Sequence, residues 1–141
     1  MLDQARPVVL LLARIALGVI FLVHGYQKFA TMGIAGTAEF FAAAGIPLPG
    51  LAAPAVAGLE VAGGLALMIG AALPFAGTLL ALDMIGAIVF VHGPHGLTGD
   101  GGYEFVLALA AASLAVGFTG GGAFALDSAL TRRRPAQPAI N

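Results

Sequence analysis

There is no cysteine in the 141 residues. Structural disulfides, thiolate nucleophiles and iron–sulfur ligation by this chain are therefore excluded. The same absence separates it from four-helix membrane enzymes that shuttle disulfides, which need paired cysteines. Charge is scarce too: 9% of the residues are Asp, Glu, Lys or Arg, against about 25% in a soluble domain. There is no basic stripe to meet nucleic acid; the net charge is −1 and the one basic cluster is Arg132-Arg133-Arg134. What is present is apolar: 60% of the chain is hydrophobic and the mean hydropathy is +1.00. A soluble core of this size cannot hide that much apolar surface. The length suggests one domain, and the expected class is an all-α integral protein of the lipid bilayer.

Four apolar segments are long enough, or nearly so, to cross a membrane that needs ~20 residues. They run over about 8–29, 51–73, 74–92 and 103–119. Pro7 and Pro54 suit first helical turns. Pro74 opens the third segment, and Gly93-Pro94 ends it. The first apolar run is broken by Arg14 and followed by three others, so it reads as a retained span, not a cleaved signal. The stretch from Lys28 to Gly50 is too long for a tight turn. Thr37 as N-cap, Glu39 in a first turn, then Phe40 and Phe41 predict a short interfacial helix there. The expected fold is a four-helix membrane bundle over residues 1–130, with that interfacial helix between spans one and two. Residues 131–141 form a basic, Pro-rich tail expected to be disordered.

Four spans put both ends of the chain on one side. Arg6, Arg14 and Arg132 to Arg134 lie at that end, with Lys28 alone at the other, which predicts cytoplasmic termini. Spans one and three also echo each other. Phe21-Leu22-Val23-His24-Gly25 closes the first, and Phe90-Val91-His92-Gly93 closes the third. The echo is short enough for duplication and chance to remain open alternatives.

Ionisable side chains at bilayer depth cost about 2.5–3.5 kcal/mol each on insertion scales, so they tend to face a protein interior. Arg14 falls ~9 Å from the terminal edge, and Asp83 and Glu60 each ~14 Å deep, near the midplane. These three residues from three spans form a candidate inner cluster, one cation between two carboxylates. His24, Lys28, His92 and Glu104 fall near the opposite edge and form a second candidate cluster. Helical phase puts Arg14, Gly18, Phe21, Gly25 and Lys28 on one face, and Ala53, Ala57, Glu60, Gly63, Gly64 and Leu67 on another. The small residues of the second face suit close approach of a neighbouring helix. Asp83 and His92 are nine residues apart, on opposite faces of a straight helix, unless the helix unwinds before Gly93. The inner cluster is open to three readings: an ion pair that fixes packing, a ligand or quinone headgroup site, and a proton path.

His24 and His92 end spans on the same side, so haem ligation is geometrically open, although interfacial hydrogen bonding is the commoner role. His95 is expected to be solvated. There is no HxxxH, ExxH or clustered carboxylate pattern that argues for a metal, and no Gly-rich strand-to-helix turn that argues for a nucleotide.

The ordered set Arg14-x3-Gly18, His24-Gly25-x2-Lys28, Gly45-Ile46-Pro47, Gly58-Leu59-Glu60-Val61-Ala62-Gly63-Gly64 and Ala125-Leu126-Asp127 resembles the DoxX family of small bacterial membrane proteins. The likeness covers nearly the whole chain. It implies four spans in the bacterial inner membrane with both termini cytoplasmic. The family's founding members resemble subunits of thiosulfate:quinone oxidoreductase or quinol oxidase systems. Two positions depart from the pattern. Leu73-Pro74-Phe75 lacks the basic residue often found after the second span, and Ala123 or Phe124 replaces the one before the terminal Leu-Asp.

The expected function is an accessory or quinone-interacting subunit of a membrane redox system concerned with sulfur or oxidative stress. His24, Lys28 and Arg14 would serve as donors to a quinone, and Glu60 and Asp83 as proton groups. No electron carrier is evident in the chain, so a redox partner subunit or a soluble enzyme is implied. The alternative is a small-molecule transporter or efflux component, or a membrane anchor for a soluble enzyme. Assembly as a homo-oligomer is left open.

Overall fold

The computed structural model describes residues 2–132, with the side chains of 4–130. It is an all-helical membrane bundle, with no strand among the described residues. Helix α1 spans Leu2–Tyr26 and runs on through a π-helical turn, Gln27–Thr31. Helix α2 is Gly33–Ala43, α3 is Pro49–Ile69 and α4 is Leu73–Ala87. A second π turn, Ile88–His92, extends α4 before the one-turn 3₁₀ segment Gly93–His95. Helix α5 is Glu104–Thr119, and a short α6, Leu126–Arg132, follows. The first, third and fourth of these rods are long and apolar enough to cross a membrane, and α5 is an apolar helix of 16 residues.

The bundle is two antiparallel hairpins laid together. In the first, α1 packs along α3; in the second, α4 packs along α5; α3 then meets α4. Glycine sets the separation within each pair. A Cβ at Gly18 would stand 2.5 Å from the Gly64 carbonyl oxygen, and one at Gly64 would stand 2.7 Å from that of Gly18. In the second hairpin a Cβ at Gly77 would collide with the Ser113 carbonyl, and Gly117 faces Gly77. Without a hydrophobic force between helices in lipid, such close backbone contact is what holds spans together. The α3 face expected from periodicity is the buried one: Ala53, Ala57, Glu60, Gly63, Gly64 and Leu67. Leu17, Phe21, Leu80, Met84, Val106 and Leu109 fill the space between the hairpins.

The interfacial helix is present, but Thr37 does not cap it. The helix starts five residues earlier, after Met32, and Thr37 lies buried one turn inside it. Its hydroxyl is shared between the carbonyls of Gly33, at 2.9 Å, and Lys28, at 3.2 Å. The second bond explains the difference. In the π turn, backbone bonding shifts to i→i+5, as in Met32 N–H to Gln27 O at 2.9 Å. The Thr37 hydroxyl serves the Lys28 carbonyl at this turn. Glu39 is therefore exposed in the body of the helix, not in its first turn.

The break between spans two and three also lies earlier than expected. It falls at Gly70–Ala72, not at Leu73-Pro74. Gly70 takes φ 73°, and the N–H groups of Gly70 and Ala71 close back on the Ala66 carbonyl, a glycine-type helix stop. Helix α3 correspondingly opens at Pro49, with Pro54 inside it. Pro7 likewise lies inside α1, which starts at Leu2. Residues 133–141, most of the expected tail, are outside the described residues; α6 precedes them and was not anticipated.

Candidate functional site

The expected inner cluster divides between the two ends of the bundle. Arg14 is fully buried, but it does not meet Glu60 or Asp83. Its guanidinium turns to the end that carries the chain termini. There it donates from Nη1 to the Gly121 carbonyl at 2.6 Å and from Nη2 to the Phe124 carbonyl at 3.2 Å. Asp127 acts on it electrostatically. The Asp127 carboxylate in turn accepts the N–H groups of Ala72 at 2.9 Å and Leu73 at 3.1 Å, and its own N–H donates to the Gly70 carbonyl at 3.0 Å. Ala72 sits at φ 47°, a conformation unfavourable to a residue with a Cβ, and this bonding holds it there. Arg14 and Asp127 therefore tie the Gly-rich turn after α5 to the turn between α3 and α4. The long Arg side chain lets it leave the depth of its own Cα, which counting along the helix cannot register.

The cation that does meet Glu60 is Lys28. Its Nζ lies 2.7 Å from Glu60 Oε2, with the carboxylate 3% exposed and the ammonium 18% exposed. Asp83 lies near enough to both to interact electrostatically, and its Oδ2 is a buried atom without a hydrogen-bond partner. His24 acts on Glu60 as well. The expected trio of Arg14, Glu60 and Asp83 is therefore not the one observed: Lys28 pairs with Glu60, and Asp83 interacts with both through charge alone.

These groups line a cavity of about 520 Å³. Its walls are otherwise apolar: Phe21 from α1, Phe40 and Phe41 from α2, Val56 from α3, Met84 and Phe90 from α4 and its π turn, and Phe105, Val106 and Leu109 from α5. His24, Lys28, Glu60, Asp83 and His92 all border it. The outer-edge and midplane groups that the sequence separates by depth therefore share one space. Glu104 does not join them. It is the exposed first residue of α5 and lies outside the cavity lining.

Both π turns abut the cavity. They carry Lys28 and His92, which occupy the matching ends of spans one and three. The wider turn at Ile88–His92 takes back part of the half-circle between Asp83 and His92, so both reach the same space without unwinding. His92 is oriented by its own bond: Nδ1 donates to the Gly101 carbonyl at 2.8 Å. In the neutral ring this leaves Nε2 as the acceptor. Arranged this way, the site offers an ammonium donor, a carboxylate oxygen seeking a partner and an imidazole acceptor, beside flat aromatic faces. Among the described residues, no three His, Asp or Glu side chains gather to hold a metal ion.

The Thr37, Asp127 and Gly121 contacts had no sequence signal beyond residue type, because each spans a turn or more than fifty residues. Phe40 and Phe41, which help predict the interfacial helix, also form cavity wall.

Comparison with known proteins agrees with this architecture. The DoxX family profile matches residues 9–93. The chain is 38% identical over 117 residues to "Putative oxidoreductase CatD" of Bacillus subtilis (strain 168), covering 83% of each chain. It is 35% identical to "Inner membrane protein YphA" of Escherichia coli (strain K12), covering 87% of this chain and 91% of the relative. It is 31% identical to "Inner membrane protein YqjF" of the same organism, over 94% of this chain and 99% of the relative. No solved structure matches it. With a four-helix membrane bundle, the Arg14 and Lys28–Glu60 positions in place, and a match over more than half its length, this chain belongs to the DoxX family.

Proposed function

We propose that this chain is a quinone-interacting accessory subunit of a redox system in the bacterial inner membrane, with the Lys28–Glu60–Asp83 cavity as its headgroup site. One observation carries the reading. A cavity of about 520 Å³ with apolar walls holds an ion pair and a buried carboxylate oxygen that has no partner. A quinone headgroup is flat and apolar on its faces and polar at two edge oxygens, which suits such a space. Lys28 and His24 donate to a carbonyl oxygen. His92 Nε2 and Asp83 accept from the hydroxyls of the reduced form. Glu60 and Asp83 hold or pass the protons that reduction consumes. The side chains here handle protons and hydrogen bonds, so the two electrons come from a partner subunit or a soluble enzyme. The relative named an oxidoreductase supports the redox assignment, and the relatives named inner membrane proteins support the location. Both termini face the cytoplasm and the cavity end faces outward, in keeping with the basic residues at the terminal end.

The test is direct. The full chain is purified in mild detergent, extracted with solvent and assayed for co-purified quinone, and then titrated with decylubiquinone and menadione while its melting temperature is followed. Bound quinone, or a saturable rise in melting temperature, supports the reading, and the rise given by the reduced analogue decylubiquinol should be lost in Asp83→Asn. Absence of both overturns it, and would leave transport of a small molecule or anchoring of a soluble enzyme as the function to pursue.

A further inference from the structure

Most glycines inside the spans have a packing reason. Gly18, Gly25, Gly64, Gly77 and Gly117 each meet a neighbouring helix so closely that a Cβ would strike backbone. Gly86 is different. It lies inside the continuous helical rod of span three, its φ is not in the left-handed region, and a Cβ added there would meet nothing within 4 Å. Glycine in a helix is destabilising relative to alanine, and here neither backbone conformation nor packing calls for it. Gly86 is also one of the residues lining the cavity. Three residues before it is Asp83, on the same helical face, and four after it, in the π turn, is Phe90. Ala87 beside it adds a single methyl group. Asp83, Gly86, Ala87 and Phe90 all border the cavity. Between a carboxylate and a phenyl ring, spaced ~10 Å along the helix axis, the wall carries no side chain at Gly86 and a single methyl at Ala87, with Met84 bordering the cavity beside Asp83.

We infer that Gly86 is a specificity-determining residue: its missing side chain leaves a slot on the wall of span three in which a flat, membrane-soluble ring lies, polar edge at Asp83 and apolar end against Phe90. This deepens the quinone reading and rests on the cavity being its headgroup site. A bulkier residue at 86 would narrow the slot without touching the ion pair, so ring size is selected here and charge is selected at Lys28 and Glu60.

The absence of native cysteine makes the test clean, since a single introduced thiol is the only one in the chain. Gly86→Cys is treated in membranes with a membrane-permeant maleimide, beside Ala81→Cys, a position on the same helix that is 2% exposed in the core. Gly86→Leu is titrated with decylubiquinone and menadione. The expected results are rapid labelling of Gly86→Cys but not of Ala81→Cys, protection of that label by a quinone analogue, and at least about a tenfold loss of affinity for the analogues in Gly86→Leu. The unliganded Gly86→Ala protein should melt no lower than wild type. Lack of labelling at 86, a lowered melting temperature in Gly86→Ala, or undiminished binding in Gly86→Leu overturns the slot. Labelling that no quinone analogue protects, with no analogue bound by the wild type, overturns the quinone reading and with it the slot's assignment to a quinone ring. Quinone binding by wild type that Gly86→Leu leaves intact overturns the slot alone.

Discussion

The two ends of this bundle place charge in an apolar span and do opposite things with it. At the terminal end, the fully buried Arg14 guanidinium gives Nη1 and Nη2 to the Gly121 and Phe124 carbonyls, with its Nε left without a partner, while Asp127 holds the neighbouring turn. At the loop end, Lys28 and Glu60 pair at 2.7 Å, but the pair borders a cavity and Asp83 keeps an oxygen without a partner. At the turn, Nη1 and Nη2 of Arg14 and both oxygens of Asp127 are taken up by backbone groups. The groups at the loop end border open space instead, and Asp83 Oδ2 meets no partner among the described residues. A charged residue within a membrane span is thus not by itself a site; what surrounds its polar atoms decides.

The sharpest way to break that contrast is Arg14→Leu. It removes two charge-assisted hydrogen bonds to buried carbonyls, each worth about 1.5–3 kcal/mol, so the loss should be about 3–6 kcal/mol. Thermal melts in detergent measure it. Because Arg14 does not touch Glu60, Arg14→Leu combined with Glu60→Gln should add within about 0.5 kcal/mol. Strong rescue by Glu60→Gln would reunite the two ends into a single cluster.

Lys28→Leu should come next. It strands the Glu60 carboxylate, a change that costs about 3–5 kcal/mol at a fully buried pair. Here the ammonium is 18% exposed, so solvent screening reduces the expected loss to about 2–3 kcal/mol. Adding Glu60→Gln should recover much of it, the opposite of the Arg14 result. If Lys28→Leu and Glu60→Gln are independent in a double-mutant cycle, the pair does not form in the membrane.

What was legible in the sequence follows the same division. Periodicity gave the buried face of α3 residue by residue, because 3.6-residue spacing is a property of the local chain. Periodicity also marks the Glu60 and Gly64 face as a close helix contact, while the expectation that Asp83 faces inward rests on the cost of charge in lipid. Arg14 was assigned the wrong partners because depth was counted at Cα, while a guanidinium reaches several ångströms beyond it. Lys28 was placed at the edge for the same reason, and it reaches inward to Glu60. The π turns at Gln27–Thr31 and Ile88–His92 shift helical phase at just the residues that matter, and no composition rule marks them. The echo around His24 and His92 was the nearest hint, since both copies adjoin such a turn. Glu104 failed as a site residue because a helix start at the bundle edge leaves its side chain in the open.

A smaller effect tests the terminal end alone. Asp127→Asn keeps the shape but offers one acceptor oxygen where Ala72 and Leu73 now use two. The expected cost is about 1 kcal/mol, with quinone-analogue binding unchanged. Loss of binding in this variant would mean that the turn and the cavity communicate, and the two ends would no longer be separable.

The smallest effect on stability belongs to the residue expected to matter most for the ligand. Asp83 Oδ2 has no hydrogen-bond partner within the protein, so replacing the carboxylate by its amide removes no bond from that atom. Asp83→Asn also lifts a like charge from beside Glu60. Stability should therefore stay within about 0.5 kcal/mol of wild type, the usual range for changes that break no named contact. Binding of the reduced analogue decylubiquinol should nevertheless fall, because its hydroxyl then meets an amide with one acceptor oxygen in place of a carboxylate with two. A melting temperature that drops as far as it does in Lys28→Leu would show that Asp83 is answered inside the protein, like Arg14. The loop end would then be a second packing device, and the difference between the two ends would disappear.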